Sequence, residues 1–425
     1  MKSYKLIKIY LLLSLLSTTL YTKSIPFENA KGLAVALIKK KTGKSVKAKS
    51  KLDKNNPSPN ASPHSLNALG VDREYHIVQL EPKGWVIVAA DDRVQLLIGY
   101  SLESKLDENT SLPPAFIAWM DSINEQIKIA KDTTFEPSSN TSLRKTRSLE
   151  TSTTSYSVVE PLLTMQWNQT SPYNDLCPMD GDTRSYVGCV ATAMSQIMRY
   201  HSWPITGEGI SSYSHTLGTF SINHANTTYN WINMTDSDKA TVSYHAGVSV
   251  EMDYSALGSA AYSRDVVRAL RDHFRYYTSD LTWRSDMSSD EAWHTRVKDN
   301  IDNRLPIYYA GSDPDAGGHA FVLDGYKYGS DGSREYHINW GWGGYADGYF
   351  AIDSLTPSTY NFSNEHSAIF DIRPNAMFPT VSNPNPTDGA TVAEGMHGQL
   401  LRVAVSNATS GKIYYGHTSL HNLNL

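Results

Sequence analysis

Cys189 follows Gly188 in the run V-G-C-V-A-T-A-M-S-Q-I-M-R-Y-H-S-W-P, from Val187 to Pro204, and is one of two cysteines in the chain. Val190, Ala193, Met194, Ile197 and Met198 recur at three- and four-residue steps, so the spacing predicts a helix that begins at the thiol. A thiol there meets unpaired backbone N–H groups and the positive end of the helix dipole. Both favour the thiolate, which is the nucleophile. His319 lies 130 positions on, after Gly317 and Gly318. Asn339 lies 150 positions on and is followed by Trp340-Gly341-Trp342-Gly343-Gly344. In that order Cys189 would attack a carbonyl carbon, and His319 would take the thiol proton and pass it to the leaving amine. Asn339 would orient the imidazole through its far ring nitrogen, and Trp340 would shield that contact from water. The amide of Gln169, with the backbone N–H of Cys189, would bind the developing oxyanion.

Each residue also has an ordinary reading. A lone cysteine in a helix is commonly a small buried hydrophobe. Cys177 and Cys189 are also close enough in sequence for a disulfide in an exported chain. A histidine on a strand is more often satisfied by packing than catalytic. Three glycines beside two indoles are harder to explain by packing alone, and suit a binding wall or a cover over a hydrogen bond.

The elements that must position these residues follow from length and pattern. With 425 residues, two or three domains are expected. A net charge of −5, with no massed basic segment, argues against nucleic acid or an anionic membrane as partner. No histidine pair or cysteine cluster has metal-ligand spacing and no glycine loop cradles phosphate, so neither a metal nor another cofactor is expected. Three lysines within Met1–Lys8 precede an apolar run from Ile9 to Tyr21, and small residues precede Ile25. Residues 1–24 therefore read as a signal peptide, and the mature protein as secreted, without a membrane span.

Residues 25–150 read as a small α+β unit and a polar linker. A helix is predicted over Phe27–Lys41, strands over Tyr75–Leu80, Gly84–Ala90 and Val94–Tyr100, and a helix after Pro113-Pro114 with Phe116, Trp119, Met120, Ile123 and Ile127 on one stripe. Ser45–Ser65 looks like a link, and Lys131–Thr154 like a proteolysis-prone domain boundary. In residues 151–373, helices are predicted over Asp238–Met252, Ser263–Phe274 and Asp290–Ile301, the last with Ser288 and Glu291 as a capping box. Strands follow over Leu305–Ala310, His319–Tyr326, Glu335–Asn339, Gly348–Ile352 and Ala368–Ile372. Asp331-Gly332 forms a hairpin turn between two of them. Helices followed by strands indicate α+β with an antiparallel sheet. Residues 374–425, with a strand-like piece at Leu400–Val405, read as an extension belonging to a further β module.

The runs Gly188–Ala193, Gln196-Ile197-Met198, Gly318-His319-Ala320 and Asn339–Gly344 resemble the streptopain family of bacterial papain-like cysteine proteases. The resemblance spans roughly Pro161 to Ile372. It implies a papain-like fold and an endopeptidase made as a zymogen, with protein or peptide substrates and its own prodomain as intramolecular inhibitor. It also implies Cys189 as nucleophile, His319 as base, Asn339 as orienter, Gln169 in the oxyanion hole and Trp340 as cover. Ala89–Asp92 and Gly99–Ser101 resemble the family's inhibitory prosegment. The papain signature C-G-S-C-W is absent around Cys189, although the intervals to His319 and Asn339 match those of papain-like enzymes. Two other readings remain open on the residues alone: a secreted Cys-His amidase acting on cell-wall peptides, and a non-catalytic surface-binding protein with an aromatic platform.

Overall fold

The computed structural model describes residues 24–49, 73–92, 94–106, 112–132, 155–313, 317–351, 366–375, 411–415 and 419–423. The signal-like segment before Ser24, most of both polar links, and Leu400–Val405 lie outside them. Helix α1 (Phe27–Thr42) buries Ala30, Ala34 and Ile38, one stripe at four-residue steps, and ends where Gly43 turns left-handed at φ 70°. Its stripe covers Val78, Leu80, Val86 and Val88 of the strands that follow. These are β1 (Lys47–Ala48), β2 (Tyr75–Glu81), β3 (Trp85–Ala89) and β4 (Leu97–Ser101). Helix α2 (Pro114–Asp132) lays Phe116, Met120, Ile123 and Ile127 on the opposite face, the stripe expected from the sequence.

Beyond the linker come β5 (Tyr156–Val159), α3 (Cys189–His201), a hairpin of β6 (Ile210–His215) and β7 (Gly218–Asn223), α4 (Asp236–Ser249) and α5 (Ser263–Asp272). The strand-rich half has β8 (Leu281–Trp283), α6 (Asp290–Asp302), β9 (Ile307–Asp313), β10 (Gly317–Gly329), β11 (Arg334–Asn339), β12 (Gly348–Phe350) and β13 (His366–Ile369). The antiparallel α+β architecture is as expected. The hairpin β6–β7 has no counterpart in the sequence reading, because it is mostly solvent-facing and carries too few apolar residues to signal a strand. The cap of α6 is also one residue later than expected: the helix starts at Asp290, so Ser289 Oγ accepts from the N–H of Ala292 at 3.1 Å.

Eleven strands form one sheet, in the order β1-β2-β3-β4-β12-β11-β10-β9-β13-β8, with β5 also paired to β10. The junction is β4 against β12, Tyr100 opposite Tyr349 and Gly99 opposite Phe350. The segment before the linker thus does not stand apart as a self-contained unit. Its edge strand, which would otherwise expose unpaired N–H and C=O groups, is completed by the later half of the chain.

Alternation along β9 and β10 divides the interior. Tyr309, Phe321 and Leu323 face α2 and α6, together with Ile338, Trp340 and Phe350. Tyr308, Ala310, Ala320 and Val322 face α3, α4 and α5.

The helical side carries buried histidines. His224 Nε2 lies 2.7 Å from Ser211 Oγ, and the Tyr229 hydroxyl 3.1 Å from His245 Nδ1. Burial pushes His224 down to about 3, and both His245 and His201 to about 4. An unfolded chain takes up these protons near pH ~6.5 whereas the folded one resists until far lower, so stability is lost as pH falls from ~6.5 towards ~4. The urea midpoint is expected to drop steadily between those values, and the drop should be shallower in His224→Gln. A midpoint independent of pH there contradicts the assignment.

Candidate active site

Gly188 precedes α3 at φ 88°, a conformation that suits glycine. A Cβ there would also lie 2.7 Å from Met252 Sδ. Cys189 is the first helical residue, and every residue from Val190 to Met198 behind it is buried. Its half-buried thiol is pushed above its ordinary 9.0 by burial, while the backbone N–H groups of Ala320, Val190 and Cys189 itself pull the other way. The helix start therefore acts in the expected direction, but burial outweighs it, and in this form the thiol is protonated rather than thiolate. The bridge considered from the sequence does not form: both cysteines are free, and burial pushes Cys177 to about 12.

The Ala320 N–H places the sulfur beside the peptide that follows His319. His319 itself sits on β10 opposite Gly311, whose other neighbour is His366 on β13. By alternation from Phe321, His319 takes the sheet face that α2 covers. There Trp119 of α2 stacks on His366 with ring centroids 5.6 Å apart. Trp340 shares this face, 2% exposed, with its ring 4.8 Å from Phe321, 5.8 Å from Phe116 and 6.1 Å from Trp119.

Asn339 pairs across from Val322 and so takes the α3 face. Its Nδ2 donates to the carbonyl of Met165 at 3.1 Å, and its Oδ1 accepts from the N–H of Gly341 at 3.0 Å. Gln169 is buried four residues beyond Met165, and its carbonyl accepts from the N–H of Val187, two residues before Cys189, at 3.0 Å. The glycines after Trp340 have a packing reason. Gly341, at φ 68°, is so close to α3 that a Cβ would lie 2.8 Å from Thr192 Cγ2, and the N–H of Gly343 donates to Trp167 at 2.8 Å. The structure thus gathers Cys189, Asn339 and Gln169 around one end of α3, with His319 and Trp340 on the face beneath α2.

Sequence reasoning passed over three groups next to these residues: the buried Asp324 and Asp347, and the partly buried His337. Asp347 Oδ1 accepts from the backbone N–H of Trp340 at 2.9 Å, and burial pushes its carboxyl up to about 7. The available signal was an aspartate inside the apolar run of β10 and another closing a glycine loop.

An α+β domain with a thiol-headed central helix against an antiparallel sheet, preceded by a segment packed on that sheet, defines a papain-like cysteine protease with its prosegment. Residues 167–350 match the profile of the Peptidase C10 family, and residues 22–127 that of the Spi protease inhibitor. The chain is 32% identical to streptopain of Streptococcus pyogenes over 395 residues, covering 82% of this chain and 91% of that protein. It is also 32% identical over 340 residues to the thiol protease/hemagglutinin PrtT of Porphyromonas gingivalis, covering 72% of this chain and 38% of that one. A solved fragment of prointerpain A from Prevotella intermedia superposes with a TM-score of 0.54 at 30% identity, over 70% of this chain and 95% of the fragment. The chain belongs to the peptidase C10 family, and is a cysteine endopeptidase made as a zymogen.

Two outcomes follow from the geometry around Cys189. Iodoacetamide should label the full-length chain slowly at pH 7, with a rate still rising above pH 9; rapid labelling at neutral pH contradicts the raised thiol. Gly188→Ala should lower the unfolding free energy by about 1–3 kcal/mol, through backbone strain and the Met252 clash, measurable by thermal unfolding.

Proposed function

We propose that Cys189 is the nucleophile, that His319 holds and then delivers the proton, that Asn339 orients its imidazole, and that the Gln169 amide and the Cys189 N–H bind the oxyanion. The substrates are proteins and peptides. The observation that carries this reading is the sulfur at the head of α3, beside the His319–Ala320 peptide, with the Gln169 loop bonded to Val187. Attack on the carbonyl carbon forms a tetrahedral intermediate whose oxyanion lies by the helix start. Protonation of the amine by the imidazolium expels it and leaves a thioester on Cys189, which water hydrolyses to release the acid and return the thiol.

Residues 25–150 serve as prosegment and activation linker, and residues 151–373 as the catalytic domain. Residues 374–425 form an extension of unassigned role. Residues 1–24 direct export, so the enzyme acts outside the cell. Among the described residues no helix is long and apolar enough to cross a membrane. Latency has a physical basis in the covered state. With α2 over the Phe321 face, the partner histidine stands on the covered side, across the sheet from the thiol. Removing α2 frees that side, and pairing with the thiolate then requires the His319 side chain to turn to the α3 face. Trp340, freed from Phe116 and Trp119, becomes available to cover the His319–Asn339 contact.

Cys189→Ala should give a stable full-length chain that neither cuts casein nor processes itself; retained casein cleavage would sink the assignment. In protein processed by added protease, His319→Ala should suppress alkylation of Cys189 near neutral pH, and Asn339→Ala should do so more mildly. Gln169→Ala should lower turnover with alkylation intact, since it acts on the transition state rather than on the thiol. Phe116→Ala should weaken the covered state by about 3 kcal/mol, read as faster processing of the full-length chain.

A further inference from the structure

The β10–β11 ladder is regular except between Leu323 and Gly325, where one extra residue, Asp324, is accommodated. Gly325 makes this possible. A Cβ there would lie 2.9 Å from the Val159 carbonyl and 3.2 Å from His337 Cβ. Bulges of this kind re-aim a side chain, and they recur beside active sites.

The re-aimed carboxylate is fully buried and receives donors from two directions. His337 Nδ1 lies 2.6 Å from Oδ1, and the N–H of Leu163 donates to Oδ2 at 2.9 Å. The backbone carbonyl of Asp324 also accepts from the N–H of Leu162 at 2.9 Å. Burial works against a charged imidazole at His337, but the neighbouring Asp324 carboxylate outweighs it and leaves His337 raised. The pair is therefore charge-assisted as well as short.

These bonds close a ring around the proposed site. His337 lies two residues before Asn339 on β11, and Leu163 lies two residues before Met165, whose carbonyl receives the Asn339 amide. From Met165 the chain runs on to Gln169. One buried carboxylate thus holds together the strand that ends in the orienting asparagine and the segment that leads to the oxyanion glutamine, from a strand that also carries His319.

We propose that Asp324 is a positioning residue: through His337 and the N–H of Leu163 it sets where Asn339 and Gln169 stand relative to Cys189. This rests on the roles assigned above. Asp324 touches no substrate. A misplacement of catalytic groups by about 1 Å can reduce a rate by about a hundredfold, so the effect belongs in turnover rather than in binding.

The test is kcat per titrated Cys189 thiol, with KM and melting temperature, in protein matured from the full-length chain, with added protease where a variant does not mature itself. Cys177 is buried and does not interfere. Asp324→Asn is isosteric, but its amide accepts from only one of the two N–H donors and presents its own N–H₂ to the other. It should lower kcat per titrated site at least about tenfold while KM moves less than about threefold. A kcat per site equal to that of the wild type, with only fewer sites or a lower melting temperature, overturns the proposal. His337→Asn keeps an N–H near the place of Nδ1 and should retain most of the turnover, whereas His337→Ala should fall with Asp324→Asn. Should Asp324→Asn yield no titratable site, this pair decides, and equal losses in the two overturn the idea. Cys189→Ala, run in parallel, reports on the assigned site itself: casein cleavage surviving there removes the nucleophile whatever Asp324 does.

Discussion

The seating of α3 against β10 is the constraint on which the rest depends. A helix buried from Val190 to Met198 has no freedom to shift, so the thiol at its first position is held beside the Ala320 N–H. The same seating has an electrostatic consequence. A sulfur packed this closely is removed from water, and burial outweighs the helix start in setting its protonation. A covered thiol is thus a quiet one, which is what a protease precursor requires.

The prosegment covers the opposite face of the sheet, by completing the fold rather than by plugging a finished one. Its strand β4 supplies the hydrogen-bond partner of β12, and its helix α2 supplies Phe116 and Trp119 to the aromatic cluster around Trp340. At the other face, Lys41 of α1 reaches Glu335, 1% exposed, at 2.6 Å. Departure of the prosegment would break that pair and leave Lys327, its cross-strand neighbour, as the cation beside Glu335.

Much of this was legible before any coordinates. The stripe of α2, the helix behind Cys189, the strand pattern after residue 305 and the Asp331-Gly332 turn all follow from short-range periodicity and turn chemistry. Those signals survive in tertiary context because each element buries the face its pattern marks. The cap of α6 was misplaced by one residue because Ser288 and Ser289 are equally good caps, and only the helix start chooses between them. The hairpin β6–β7 was silent because most of it faces water. The supporting role of Asp324 and His337 was invisible for a different reason: an aspartate in an apolar strand is meaningful only once the bulge turns it toward Leu163.

By itself, then, the amino-acid order determined the kind of chemistry and the elements that carry it. A nucleophile at a helix start, a histidine on a glycine-led strand and an asparagine before a tryptophan–glycine loop are local facts. Three matters were left to the tertiary structure: the protonation of Cys189, the sheet face taken by His319, and the joining of prosegment and protease in a single sheet. Each depends on neighbours more than a hundred residues away, since burial and strand pairing are set by what packs alongside and not by what is adjacent in the chain.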